Sequence, residues 1–138
     1  MGRVLGIDPG TRRCGVAISD SNQTMAFPRL SIDVDDILVA TLVSLVNEES
    51  VSLVVVGRPV SLKGTVTSST EMAEALFCAI KDALGTLEVI QFDERLTTVQ
   101  AQRSLSGAGV KMKQHRERID SAAAVVLLQN YLDGSRAY

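Results

Sequence analysis

The chain has no tryptophan and few other aromatic residues, three phenylalanines and two tyrosines. A protein that reads unpaired bases by stacking them on aromatic platforms is therefore a poor fit, and recognition by shape and backbone is expected of any nucleic-acid partner. Only two cysteines occur, Cys14 and Cys78. They match no CxxC or Cys/His ligand spacing, which excludes a zinc ribbon or a dithiol redox motif and leaves two thiols expected to be buried. The longest apolar runs, 52–57 and 122–128, fall far short of the roughly 20 residues that a bilayer span needs. No charged leader, apolar signal core or small-residue cleavage site precedes the strand-like run Arg3-Val4-Leu5-Gly6-Ile7, so a cytoplasmic location away from membranes is expected. Repeats, low-complexity tracts and Pro/Gly/Ser-rich linkers are lacking too, and residues 1–138 read as one domain.

Positive charge is also in short supply. The formal net charge of −2 argues against a protein that coats nucleic acid through many phosphate contacts. It leaves room for an enzyme whose bound cations meet phosphate. The charge is uneven: Asp33, Asp35, Asp36, Glu48 and Glu49 make one region acidic, while Lys111, Lys113, Arg116 and Arg118 concentrate positive charge near the C-terminus.

What the chain does have is 46% hydrophobic residues in readable patterns. Residues 3–8, 14–19 and 24–30 predict three strands joined by tight turns at Pro9-Gly10-Thr11 and Asp20-Ser21-Asn22, a meander. Residues 36–49 carry Ile37, Leu38, Thr41, Leu42, Leu45 and Val46 at helical spacing, with Asp35 or Asp36 as cap. The β-branched run 52–56 reads as a central, parallel strand. A second helix is predicted over 68–83 with Met72, Leu76, Ala79, Ile80 and Ala83 on one face, then a strand over 87–92. A short helix over 98–106, a break at Gly107 and Gly109, and a helix over 120–132 closed by Gly134 complete the order. The fold class is α/β: a five-stranded mixed sheet, an antiparallel three-strand meander plus two parallel strands, with helices on both faces.

Acids at three places in the chain then fall where chemistry is expected. Asp8 ends the first strand, a switch point if the meander lies on one side and the 52–56 strand on the other. Asp93 and Glu94 end the 87–92 strand at the same sheet edge. Asp120 opens a helix face of Ala123, Ala124 and Leu127, where an acid is costly unless paired or ligating. Clustered carboxylates repel one another and suit Mg²⁺ or Mn²⁺, which prefer oxygen ligands and activate water for phosphodiester hydrolysis. On the residues alone, Asp8 is equally an ordinary turn aspartate and Asp120 a first-turn helix charge. His115, the single histidine, reads as a solvated side chain in a basic loop, and Thr97 and Thr98 as a helix start.

The strings Asp8-Pro9-Gly10-Thr11, Gly15-Val16-Ala17, Val55-Val56-Gly57-Arg58-Pro59, Asp93-Glu94-Arg95-Leu96-Thr97-Thr98 and Asp120-Ser121-Ala122-Ala123-Ala124 resemble, in that order, the Holliday-junction-resolvase-like YqgF family. The resemblance implies an RNase H-like fold and a nuclease that matures the 5′ end of pre-16S ribosomal RNA, with four-way DNA junctions as the alternative substrate. It implies Asp8, Glu94 and Asp120 as the catalytic, metal-binding acids, with Asp93 as substitute for Glu94. Thr11, Arg12, Arg58, Lys63, Arg95, Lys111, Lys113, Arg116 and Arg118 are the substrate-contact candidates. Arg58 departs from the family pattern, which usually has an apolar residue there. A symmetric junction would require a homodimer. Two rival readings remain. An ATP-holding sugar-kinase or actin-like fold uses a similar Asp-x-Gly-Thr hairpin but is expected to need a second such domain, and a non-catalytic nucleic-acid-binding module has no use for three intact acids.

Overall fold

The computed structural model describes residues 2–59, 66–93 and 112–136, the last segment with side chains from 121 to 134. Strands β1 (Arg3–Asp8), β2 (Arg13–Ser19) and β3 (Ala26–Asp33) are followed by helix α1 (Leu38–Glu48), strand β4 (Val51–Arg58), helix α2 (Ser68–Leu84), strand β5 (Glu88–Asp93) and helix α3 (Met112–Arg136). The sheet order is β3-β2-β1-β4-β5. β1 pairs antiparallel with β2 and parallel with β4, and β4 is parallel to β5. The predicted helix over 98–106 and the break at Gly107 and Gly109 lie outside the described residues.

Alternation along the strands sorts the core into two layers. Leu5 and Ile7 of β1, Val16 and Ile18 of β2 and Val54 and Val56 of β4 point to one face, where Leu38, Leu42 and Val46 of α1 and Ile80 of α2 cover them. Val4, Ala17 and Val55 point to the other, under Ala124, Leu127, Leu128 and Leu132 of α3. β4 is thus apolar on both faces because both are roofed, as its unbroken β-branched run predicts.

Several boundaries differ from the sequence reading. α3 begins at Met112, not 120, and runs through Gly134 to Arg136. The stretch before Asp120 is polar and lacks apolar periodicity, so pattern alone gives no helix there. A Cβ on Gly134 would meet nothing within 4 Å, so this glycine is a tolerated helix residue and does not terminate the helix. On α2 the buried face runs through Ala73 and Ile80, with Ala79 and Ala83 exposed. Alanine is content on either side of a helix and marks the face poorly. Cys78, expected to be buried, is exposed on the same helix, whereas Cys14 is buried.

Candidate active site

Asp8 is the last residue of β1, where the sheet changes from antiparallel to parallel neighbours. It shares the α3 face with Val4 and Gly6 by alternation and is paired with Gly15 of β2. The turn that follows closes tightly: a Cβ on Gly10 would stand 2.2 Å from the Arg13 carbonyl oxygen, so only glycine fits. Thr11 and Arg12 project from this turn into solvent, and the Arg12 carbonyl accepts a 2.8 Å hydrogen bond from the Val34 amide.

Helix α3 is held over this end of the sheet by contacts that sequence reading missed. Between Cys14 and Val16 the β2–β3 register shifts, pairing Cys14 with Ile32 but Val16 with Arg29. Such a bulge leaves ladder groups without partners. The buried Ser121 hydroxyl takes both: it accepts from the Val16 amide at 3.3 Å and donates to the Arg29 carbonyl at 2.6 Å. Val16 is opposite Ile7, so Ser121 is fixed one residue short of Asp8's level. Further along, a Cβ on Gly6 would be 2.9 Å from Leu128 Cβ and 3.4 Å from the Ala124 carbonyl oxygen. The absent side chain lets the helix backbone lie directly on β1. Gln129 completes the seam, accepting from the Ala26 amide at 2.9 Å and donating to the Thr24 carbonyl at 3.0 Å. Taken in order, residues 121, 124, 128 and 129 step back along the sheet from its Asp8 end, so α3 runs antiparallel to β1 with its first half at the Asp8 edge. The run Ser121-Ala122-Ala123-Ala124 was the available signal, since small residues license close approach, though among its alanines the buried one is Ala124 while Ala123 is half-buried.

The remaining candidates separate. Asp93 ends β5 beside Arg58 of β4. Ile90 and Phe92 of β5 belong to the α3 layer and Val89 to the opposite one, so alternation places Asp93 on the face away from Asp8. Arg58 is on that same far face, and its guanidinium is bound by Glu74 of α2 through Nε at 3.1 Å and a second nitrogen at 2.9 Å. Lys113, Arg116 and Arg118 lie in the first turns of α3, as does His115, which the sequence reading put in a loop. Lys63, Glu94, Arg95 and Lys111 lie outside the described residues, as does the side chain of Asp120. Among the described residues no three acids, histidines or cysteines stand close enough together to hold an ion.

Cys14 stands close enough to Asp8 to feel its charge, and its environment disables it as a nucleophile. Burial pushes the thiol above its ordinary value, the Gly10 amide hydrogen-bonded to it pulls the other way, and the Asp8 carboxylate raises it further. At neutral pH it is a neutral thiol, so it offers no thiolate for attack.

Comparison with known proteins bears on the family and the fold. The chain is 42% identical over 137 residues to a protein of Corynebacterium jeikeium named "Putative pre-16S rRNA nuclease", covering 98% of this chain and 88% of the relative. It is 41% identical over 134 residues to one of the same name from Ruminiclostridium cellulolyticum, covering 95% and 94%. Among solved structures it is similar to Thermus thermophilus RuvC in complex with Holliday junction substrate, with TM-score 0.65, 14% identity, and 99% and 97% of the two chains covered. Fowlpox virus resolvase bound to Holliday junction DNA superposes with TM-score 0.64 at 11% identity, over 96% and 98%. At such identities the likeness establishes the fold, which is RNase H-like. A family model described as "RuvX: Holliday junction resolvase" matches residues 2–134, and the chain belongs to that family.

Proposed function

We propose that this chain is a metal-dependent nuclease that hydrolyses phosphodiester bonds of pre-16S ribosomal RNA during maturation of its 5′ end. The observation that carries the reading is the meeting of Asp8, at the switch point of the sheet, with the first half of α3, clipped there by Ser121. Asp8, Glu94 and Asp120 are the proposed ligands, all hard oxygen donors suited to Mg²⁺ or Mn²⁺. Asp93 faces away from Asp8, which supports its neighbour Glu94 as the second acid. Asp120 directly precedes Ser121 and stands four residues before buried Ala124, which supports its place at the same edge.

The bound ions would supply an activated water and charge stabilisation at the leaving oxygen. The chain supplies the rest. Asp8 sits at a strand end behind a turn that only glycine can make, which fixes the backbone from which its carboxylate projects. Thr11 and Arg12 stand in solvent beside it, where a phosphate backbone would pass. Lys113, Arg116 and Arg118, on the half of α3 nearest this edge, with Lys111 just before it, would draw that backbone in. Arg58 is committed to Glu74 and is the least suited of the candidate contacts.

RNA is favoured over a DNA junction because the relatives above 40% identity carry the ribosomal RNA name. The junction reading rests on the family description and would need a homodimer. In either case we propose the cytoplasm as the place of work; among the described residues no helix is long and apolar enough to cross a membrane.

The test compares wild type with Asp8→Asn on pre-16S RNA fragments and on four-way DNA junctions, in Mg²⁺, in Mn²⁺ and in chelator. Wild type is expected to cut the RNA only with metal. Losing a ligand worth about 4 kcal/mol in the transition state lowers the rate about 10³-fold, with the melting temperature held. Equal cutting by the variant, or cutting in chelator, would sink the mechanism. Binding without cutting under all conditions would make the chain a binding module.

A further inference from the structure

Among the described residues six large apolar side chains are exposed: Met25, Phe27, Leu30, Val34, Ile37 and Val66. Five of them fall within 13 consecutive positions, along β3 and the turn into α1. Single exposed apolar residues need no explanation, but a strip of them marks a surface that is covered at some stage. The strip borders a groove of about 340 Å³ between β3 and α1, lined among others by Leu30, Ile32, Thr41, Leu45 and Glu48.

The edge of β3 is closed to an added strand at its start. Gln129 already occupies the Ala26 amide and Thr24 carbonyl, and Pro28, next in line, has no amide to offer. An occupant must therefore use the groove and its side chains.

Charge selects the occupant. The groove's cation, Arg29, shares Glu49 with Arg3. Glu48 stands at one end, and Asp33, Asp35 and Asp36 stand at the other. A second copy docked symmetrically would set these carboxylates against themselves, and nucleic acid would bring phosphates to them; both are repulsive. We propose that the β3–α1 groove docks a basic, amphipathic segment of a partner protein, its apolar side chains on Phe27 and Leu30 and its lysines or arginines facing Glu48, Asp33 and Asp36. From Phe27 to Val34 the strand spans about 23 Å at roughly 3.3 Å per residue, which a helix of about 15 residues covers. Its Glu48 end lies near Arg3 at the start of β1, opposite the Asp8 edge, whereas its Asp33–Val34 end adjoins the Arg12–Arg13 turn.

The probe is a labelled 15-residue helical peptide with leucines on one face and lysines on the other, read by fluorescence anisotropy against full-length protein. Its counterpart carries glutamate in place of lysine. Wild type is expected to bind the lysine peptide and not the glutamate one. Leu30→Ser and Glu48→Lys should each weaken binding at least about tenfold. Asp82→Lys, the same charge reversal on the exposed face of α2, should leave it within about twofold. Leu30→Ser is also expected to cut RNA at the wild-type rate, so failure here is distinguishable from failure of the nuclease reading. Absence of binding by wild type, equal binding of both peptides, insensitivity to Leu30→Ser, or an equal loss in Asp82→Lys each overturns the proposal. So does sedimentation showing a wild-type dimer that Leu30→Ser makes monomeric, which would make the occupant a second copy.

Discussion

Asp20 builds the turn between β2 and β3 with its carboxylate. One oxygen accepts from the Thr24 amide at 2.7 Å and the Met25 amide at 3.0 Å, the other from the Thr24 hydroxyl at 2.6 Å. The Thr24 hydroxyl first, then the two amides, hold its carboxyl down at about 2. The folded value is below the unfolded one, so the stability it lends is complete above about pH 4 and disappears as pH falls towards 2. Asp20→Asn should therefore be less stable than wild type in urea at pH 6, and the gap should close between pH 4 and pH 2. A gap independent of pH would mean that the carboxylate's charge contributes nothing. Asp20 as turn chemistry was legible in the sequence because its partners are four and five residues away. Ser121 was not, because its partners are Val16 and Arg29 and the bulge that needs it has no local signature. Ser121→Ala would strand a buried amide and carbonyl and should cost about 1–3 kcal/mol by chemical denaturation.

At the scale of elements, the seat of α3 on β1 is the most sensitive contact that positions the site. Gly6→Ala puts a methyl 2.9 Å from Leu128 Cβ, a branch point close to the helix backbone and not a flexible tip. The helix must shift, at a cost of about 1–3 kcal/mol. Because α3 also leads to Asp120, the folded variant should cut RNA more slowly than its folded fraction accounts for, measured as kcat beside a thermal melt. Rates that follow the folded fraction would show the two ends of α3 to be independent. Strands were the most legible elements, since Val54, Val55 and Val56 announce a two-faced strand without help. Helix limits were less so. The first turns of α3 are charged and polar, and what makes them helical is continuity with a segment packed on the sheet. Asp8 was readable as a strand end from the Pro-Gly that follows it. Which face each neighbouring acid takes was not, since that depends on the register of β5 against β4.

Viewed whole, the molecule is a sheet with two unequal covers. Among the described residues, one face is roofed by α1 and α2, which follow the strands they cover closely in sequence, the other by α3 alone. Deleting residues from 112 onward should leave Val4, Ala17 and Val55 open to water. Such a chain is expected to bind an apolar dye and lose its cooperative melt, whereas a retained sharp transition would show that the first layer folds independently.

The Val16–Ser121 hydrogen bond joins residues 105 apart in sequence. During synthesis from the N-terminus, the strand bearing Asp8 leaves the ribosome long before the helix that must lie across it. Domains complete themselves as their last packed element arrives. Until residues 112–136 have emerged, the face that carries Val4, Ala17 and Val55 has no helix to cover it, so the seat beside Asp8 is the last part of the molecule to form.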